Sequence, residues 1–407
     1  MCSGVKSSGE IRDKAPRLRI AIASTGLGHV ARGVEAWALG LADELADTAR
    51  YPQVNVTLFA AAPLETAAPL QVVPCLKRGD RAVRLLTRLA PACCWRLGWK
   101  APYAVEQRSF ARLLIRELRR NPHDIVHTQD LVLARQIEKA VRRGQIQTHV
   151  ILAHGTDEPA AALAGLPYLQ HLAPVHLAAL ASVLPDVRHF VVPNFVDLKR
   201  FCPVNGAQRA ELRKGFALPP DAFVIGFSGA LKRDHKRFDA LIDAVADAAG
   251  DQPDIFLLAA GAEHADTAAL IKEAETKLAG RCCVRQNVLF DAMPDIYRAM
   301  DLYVHPAPRE FFGICLLEAM ACGVPVVVHR SPVLEWIAAD GGWCVDVTRP
   351  GFLREVLKQP EFKQQMPARG AAARARAEEE FSRPAVAKRI VEMYGEVTRG
   401  QGSKVSR

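Results

Sequence analysis

The sequence predicts an α/β protein built from two doubly wound parallel-sheet domains with a cleft between them. Three observations predict it. The chain has 407 residues, more than one core of about 100–200 residues needs. Short apolar runs alternate with helical stretches through both halves, the pattern of parallel sheets wrapped by helices. The first apolar run, Leu18–Ala23, ends in Ser-Thr-Gly-Leu-Gly-His, a glycine-rich turn of the kind that opens a βαβ unit.

The elements follow in order. After the first strand, Gly33 to Leu45 reads as a helix with Trp37, Leu41 and Leu45 on one face, and Val54–Ala60 as a second strand. Asp124–His127 and Val150–Ala153 are further strands, and Phe190–Val192 runs into Pro193-Asn194, a turn signal that places the first domain at 1–193. The alternation then restarts over 194–380. Phe223–Phe227, Ile255–Ala259, Val284, Val288–Phe290, Leu302–His305 and Val324–Val328 are strand-like. Between them, Phe238–Ala248, Ala268–Leu278, Met293–Met300 and Cys315–Ala321 are helical. Ala371–Glu380 is low in complexity and reads as a charged surface helix. The last segment, 381–407, opens with Phe381-Ser-Arg-Pro and reads as a capped helix with proline in its first turn. A disordered tail is expected from Gly400. No repeat of 20–50 residues is visible.

Composition excludes several classes. Half the residues are hydrophobic, 24% are charged and the net charge is +9, which is ordinary for a globular chain with a mild preference for anionic partners. No apolar run approaches the roughly 20 residues that span a bilayer. Met1 to Pro16 is polar and lacks the apolar centre of a secretory signal. None of the ten cysteines forms C-x-x-C, so zinc-ligand spacing is absent and buried thiols in a reducing cytoplasm are expected. No nucleic-acid partner is expected.

The densest chemistry lies in His305-Pro-Ala-Pro-Arg-Glu310-Phe-Phe-Gly313-Ile-Cys-Leu-Leu-Glu318-Ala-Met-Ala-Cys-Gly323-Val-Pro325. A strand ends in a proline-rich turn, then a glycine, then a helix carrying a carboxylate. Amides at that helix start favour an anion such as a diphosphate, and Gly313 lets the backbone approach closely. Glu310 in the loop and Glu318 one turn into the helix are placed to accept hydrogen bonds from sugar and ribose hydroxyls. Both also fit helix-start carboxylates that merely match the dipole.

Glu310 and Glu318, with seven residues between them and followed by Ala-Met-Ala-Cys-Gly-Val-Pro-Val-Val, closely resemble the E-x7-E signature of family 4 retaining glycosyltransferases of GT-B fold. Gly229-Ala-Leu-Lys-Arg-Asp-His-Lys236 resembles that family's phosphate loop, Val192-Pro-Asn-Phe-Val-Asp-Leu-Lys-Arg-Phe201 its interdomain segment, and Gly26-Leu-Gly-His-Val-Ala-Arg-Gly-Val-Glu35 its acceptor-domain loop. Asn287 to Pro306 resembles the run before the signature. The resemblance spans nearly the whole chain and is looser between 60 and 185, and it implies that the terminal helix of 381–407 crosses back to the first domain.

It implies transfer of a hexose-type sugar from a nucleotide diphosphate donor, a UDP-sugar before a GDP-sugar, to a hydroxyl of a glycan, lipid-linked or small-molecule acceptor. Glu310 would hold the donor sugar and Glu318 the ribose. The amides of Phe312, Gly313 and Ile314 would hold the sugar or diphosphate, and Gly28 would face the phosphates. Lys236 with Lys232 or Arg233 would neutralise the leaving diphosphate, since a metal-free site must supply positive charge from side chains. No D-x-D metal-diphosphate motif is present, so neither metal nor cofactor is expected. Two departures stand out: Ala230 occupies a position where relatives often carry arginine, and Gln129 one where they carry an active-site histidine. His154, in His154-Gly-Thr-Asp157, is the candidate for that catalytic role, and also fits a structural strand-end histidine; Asp130 and Asp157 are lesser candidates. The implied route is front-face attack with retention.

Residues 77–120 hold twelve lysines and arginines against three acids. Arg81, Arg84 and Arg88 recur at helical spacing beside Val83, Leu85, Leu86 and Leu89, and Trp95 and Trp99 follow with Arg96 and Lys100. A basic amphipathic segment with tryptophans suits an anionic membrane surface, and equally a solvated cationic helix with its tryptophans in the core. The expected location is cytoplasmic, and the first of these two readings adds peripheral attachment to the cytoplasmic membrane. Three other readings stand beside this one. A nicotinamide-dependent dehydrogenase fits poorly, because Ala31 stands where the third glycine of G-x-G-x-x-G belongs. A non-catalytic nucleotide-sugar-binding protein and a GT-B phosphorylase or synthase share the same architecture.

Overall fold

The structure, a computed structural model, describes residues 17–30, 32–89 and 101–400. Contacts divide the chain into two compact units, one ending at Ile151 and the other running from Leu152 to Gly400.

The chain opens with β1 (Leu18–Ser24), α1 (Gly33–Leu45), β2 (Val54–Ala60) and β3 (Leu70–Val72). Then come α2 (Arg81–Leu89), α3 (Pro102–Arg120), β4 (Ile125–Thr128), α4 (Leu131–Arg142) and β5 (His149–His154). They are followed by α5 (Ala160–Leu163), β6 (Tyr168–His171), α6 (Pro174–Leu180) and β7 (Arg188–Val191). Ile20 to Ala23 are fully buried, as expected of a parallel strand covered on both faces. Trp37, Leu41 and Leu45 of α1 are buried together, the stripe expected from a 3.6-residue period. The seven strands lie in the order β3-β2-β1-β4-β5-β6-β7. Strand order therefore reverses between β1 and β4, which pair in parallel. The carboxyl ends of such a pair form the crevice where open α/β sheets hold ligands.

The second series is α7 (Gly206–Gly215), β8 (Phe223–Ser228), α8 (Phe238–Ala249), β9 (Ile255–Gly261) and α9 (Thr267–Leu278). Next are β10 (Cys282–Gln286), α10 (Met293–Ala299), β11 (Leu302–Val304), α11 (Ile314–Ala321) and β12 (Val326–His329). The last are α12 (Pro332–Ala338), β13 (Gly342–Val345), α13 (Phe352–Leu357), α14 (Phe362–Glu380) and α15 (Arg383–Arg399). Six strands lie in the order β10-β9-β8-β11-β12-β13, all paired in parallel, with the reversal between β8 and β11. Neighbouring residues alternate between two apolar layers. Val224, Tyr303, Val326 and Val328 join one cluster with α10 and α11, whereas Ile225, Leu302, Val304 and Val327 join another with α8, α9 and α13. Both predicted doubly wound parallel sheets are present.

Ala371–Glu380 differs from the expected surface helix. It is the second half of α14, which buries Gly370, Ala373 and Ala377. A Cβ on Gly370 would lie 2.6 Å from the Gly323 carbonyl oxygen, and one on Gly341 would lie 2.7 Å from the Cα of Ala373. The alanine- and glycine-rich composition thus serves close backbone packing. After α14 the chain touches Val196, whose amide donates to the Phe381 carbonyl at 2.8 Å.

In α2 only Val83 and Thr87 are buried. Leu85 is 58% and Leu89 73% exposed on the helix that also carries Arg81, Arg84 and Arg88. Trp95, Arg96, Trp99 and Lys100 lie outside the described residues, as do Ala31 and the tail beyond Gly400. Among the described residues, no helix is long and apolar enough to cross a membrane, and the seven described cysteines are all unpaired thiols.

Candidate active site

The reversal between β8 and β11 brings the most distinctive side chains together. Beyond β8 the chain turns at Gly229, whose φ is +148°. A Cβ on Gly261 would sit 1.5 Å from the Gly229 carbonyl oxygen, so the end of β9 supports this turn by backbone contact that only glycine permits. The following loop reaches α8 through His235 and Arg237, both left-handed at φ 62° and 48°. Non-glycine residues hold that conformation at a cost of order 1–3 kcal/mol each, and such strain concentrates at functional sites. Lys236, between them, is aimed at Glu310.

Lys236 Nζ donates to Glu310 Oε2 at 2.5 Å, and His305 Nε2 lies 3.1 Å from the same oxygen. His305, just past β11, is fully buried. Burial alone would raise the Glu310 pKa, but His305 and Lys236 outweigh it and bring it down to about 2. Burial alone would lower His305, yet its contacts with Cys315 and Glu310 raise it to about 9. Cys315, in the first turn of α11, is correspondingly held below the usual thiol value, burial opposing and the neighbouring imidazolium and Lys236 prevailing. The result is a carboxylate between two cations.

Glu318 is different. It is buried, and Tyr297 donates its hydroxyl proton to Oε2 at 2.6 Å. Desolvation dominates and lifts its pKa to about 8. The two glutamates are joined through the interior: Tyr297 and Ser228 hydroxyls are 2.7 Å apart, Ser228 reaches Tyr303 at 3.4 Å, and the Tyr303 hydroxyl is 3.4 Å from His305 Nδ1. Gly313, at φ +84°, starts α11 without a side-chain cap, and the Ile314 and Cys315 amides begin that helix beside Glu310. Phe312 is a core anchor, packed edge-on to Trp336 and Phe381.

Lys232 and Arg233 separate here. The Arg233 guanidinium is held by Glu273 at 2.6 Å and by Asp239 at 3.6 Å, on the side of α8 and α9. The nearest carboxylate to Lys232 Nζ is the exposed Asp234 at 4.0 Å.

His154, at the end of β5, is buried, with Nε2 3.1 Å from Glu158. Its ring packs edge-on to Phe311 at 5.0 Å, next to Glu310 in the chain. The His176 ring stacks on the same phenyl group at 4.0 Å.

At the other reversal, Gly28 has φ +85°, and a Cβ there would lie 2.5 Å from the Ala62 carbonyl oxygen, which accounts for glycine at this position. Asp130 Oδ2 accepts from the Thr25 amide at 2.7 Å, and Oδ1 accepts from the Tyr103 hydroxyl. Arg78 bridges to buried Glu106 at 2.5 Å and lies 3.8 Å over the Tyr103 ring. Arg32 pairs with Glu35 at 2.7 Å.

Sequence reasoning did not single out Ser228, Tyr297, Tyr303, His305 or Cys315 as site residues. Each sits at or beside the β8–β11 reversal, a position visible in sequence only once strand order is known. Among the described residues no group of three or more His, Cys, Asp or Glu is arranged to hold a metal ion.

The chain is similar to several known proteins. Residues 208–370 match the family described as glycosyl transferases group 1. The chain is 34% identical over 223 residues to the D-inositol 3-phosphate glycosyltransferase of Segniliparus rotundus, covering 52% of this chain and 47% of that one. It is also 34% identical over 160 residues to the lipopolysaccharide core biosynthesis mannosyltransferase LpsB of Rhizobium meliloti, covering 38% and 44%. The chain thus spans about half the length of the curated relatives it matches. In fold it is similar to sucrose-phosphate synthase from Thermosynechococcus elongatus, with a TM-score of 0.72 at 19% identity over 94% of this chain and 100% of that one. Anabaena HepE, solved in complex with UDP, gives 0.70 at 16% over 93% and 100%. Two parallel sheets of seven and six strands give this chain the GT-B fold, and its residues 208–370 match glycosyl transferases group 1.

Proposed function

We propose that this chain is a retaining glycosyltransferase of family 4, moving a hexose-type sugar from a nucleotide diphosphate donor to a hydroxyl without a metal. The observation that carries the reading is the Lys236–Glu310–His305 cluster at the carboxyl ends of β8 and β11, beside the start of α11. Glu310 accepts from the donor-sugar hydroxyls and Glu318 from the ribose. The amides around Phe312, Gly313 and Ile314 receive the diphosphate. Lys236 and Lys232 neutralise the leaving group. Lys232 is preferred over Arg233, because Glu273 and Asp239 already engage that guanidinium. UDP is the favoured carrier, since HepE of the same fold is solved with UDP and glucose.

In the transfer step the anomeric carbon–phosphate oxygen bond breaks as the acceptor oxygen bonds to the same face. The acceptor proton passes to the departing diphosphate. This route needs no strong side-chain base, and Glu310, ionised under two cations, serves as a hydroxyl acceptor rather than a proton donor. His154 borders the acceptor beside Phe311. The acceptor is a hydroxyl of a glycan, a lipid-linked sugar or a small molecule. The free thiols support a cytoplasmic location, and the arginines and exposed leucines of α2 support peripheral attachment to anionic lipid.

The test is a panel of UDP-, GDP- and ADP-sugars with EDTA present, reading diphosphate release and thermal stabilisation. One donor should respond, and Glu310→Ala should abolish the response. Silence to every donor, with magnesium restored, sinks the proposal in favour of a non-catalytic protein. Anionic vesicles that fail to retain the protein at low salt refute the membrane part alone.

A further inference from the structure

Resting on that reading of Glu310, we propose that His305 is a positioning residue: with Lys236 it pins Oε2 of Glu310 and leaves Oε1 as the single acceptor for a donor-sugar hydroxyl.

Both contacts converge on one oxygen, Lys236 Nζ at 2.5 Å and His305 Nε2 at 3.1 Å. Among the described residues, no protein donor engages Oε1. A carboxylate held by one flexible lysine can turn about its last torsion, a broad and soft rotation. Two donors on the same oxygen from different elements remove that freedom. Lys236 comes from the strained loop before α8, and His305 from the end of β11. His305 itself is fixed. It is fully buried, its amide donates to the Val327 carbonyl at 2.8 Å, and its Nδ1 is 3.4 Å from the Tyr303 hydroxyl.

The charged and titratable groups around its ring are Glu310, Cys315, Tyr303, Lys236 and His235. Glu310 and Cys315 favour the imidazolium, which burial opposes. A cationic His305 donates to Glu310 whatever its tautomer would otherwise be. Preorganisation of this kind acts on the sugar and not on the nucleotide, because Oε1 is where the sugar would bind.

The experiment has two arms. Histidine-labelled protein is titrated by NMR, with the His305 signal assigned by its loss in His305→Gln. The His305 signal should report an imidazolium at neutral pH and lose its proton only near pH 9. In Glu310→Gln the midpoint should move down. Binding of UDP and UDP-glucose is then compared in the wild type, His305→Gln, which keeps a neutral donor, and His305→Leu, which keeps none. UDP affinity should hold, while UDP-glucose affinity falls about tenfold or more in His305→Leu and less in His305→Gln.

A neutral His305 at pH 7, or a midpoint unmoved by Glu310→Gln, overturns the proposal. Equal losses on UDP and UDP-glucose also overturn it, since a merely structural histidine would weaken both. If His305→Leu does not fold, the titration and His305→Gln still decide. A wild type that binds neither ligand refutes the UDP-donor reading and the Oε1 role with it, whereas the titration separately judges the His305–Glu310 contact.

Discussion

Replacing Glu318 by glutamine should stabilise the protein and make its stability less sensitive to pH. The carboxyl is buried and accepts from the Tyr297 hydroxyl at 2.6 Å; desolvation outweighs that bond and raises its pKa from 4.5 to about 8. A folded-state value above the unfolded one means that the folded chain holds a proton the unfolded chain releases. The associated stability is fully present below about pH 4.5 and is lost as pH rises towards 8. At about pH 7.5 the loss has an upper bound of roughly 4 kcal/mol, at about 1.36 kcal/mol for each pH unit above the unfolded value. Glutamine has the same shape, accepts from Tyr297 through its carbonyl oxygen and carries no charge to desolvate. Its amide protons, buried in place of a proton that the acid could shed, offset about half of the gain. A net stabilisation near 2 kcal/mol is therefore expected at that pH. At pH 5 the offset exceeds the small remaining gain, and the variant should be less stable than wild type by about 1 kcal/mol. Chemical denaturation of both at the two pH values measures this directly. A Glu318→Gln protein that is no more stable than wild type at pH 7.5, or a wild type with no pH slope between 5 and 8, refutes the assignment of a neutral buried acid. Donor affinity should fall in the same variant, the usual conflict between a stable interior and a functional carboxylate.

Lys236→Ala leaves Glu310 with His305 alone. It should lower kcat by roughly 100- to 1,000-fold in steady-state assays, the scale of losing one electrostatic stabiliser of a departing anion. Gly261→Ala would place a methyl group 1.5 Å from the Gly229 carbonyl oxygen, so it should displace the loop carrying Lys236. Destabilisation above about 3 kcal/mol in urea melts, with nucleotide affinity lost, is expected. His171 and His176 are held neutral chiefly by burial, with pKa values lowered to about 3 and 4. Their contribution is present above pH 6.5 and lost as pH falls from there towards 4. His171→Asn should flatten that acid-side slope in melts recorded between pH 7 and 4.

Much of the fold was legible in the sequence because its signals are local. The first apolar run became β1, the Trp37, Leu41 and Leu45 stripe became the buried face of α1, and Glu310, Gly313 and Glu318 fell where a strand gives way to a helix. The β3, β6 and β13 strands were not anticipated. Each is three or four residues long, too short for a periodic signal. The alanine-rich run of α14 misled for a related reason: small side chains look the same whether they face water or a neighbouring backbone. Only the fold reveals Gly323 pressed against Gly370.

The sequence by itself singled out Glu310, Glu318 and Lys236, since a carboxylate, a cation and a helix start can be read at their spacing. It did not determine their electrostatic states. Glu310 and Glu318 are the same residue eight positions apart, yet one is held near 2 and the other near 8. That difference is set by distance and burial. Lys236, far off in sequence, and His305, five residues before Glu310 but on another element, converge on one oxygen, whereas Glu318 meets a neutral tyrosine in the core. Tertiary structure alone also separated Lys232 from Arg233, because only the packing of α8 beside α9 brings Glu273 to one of two adjacent cations.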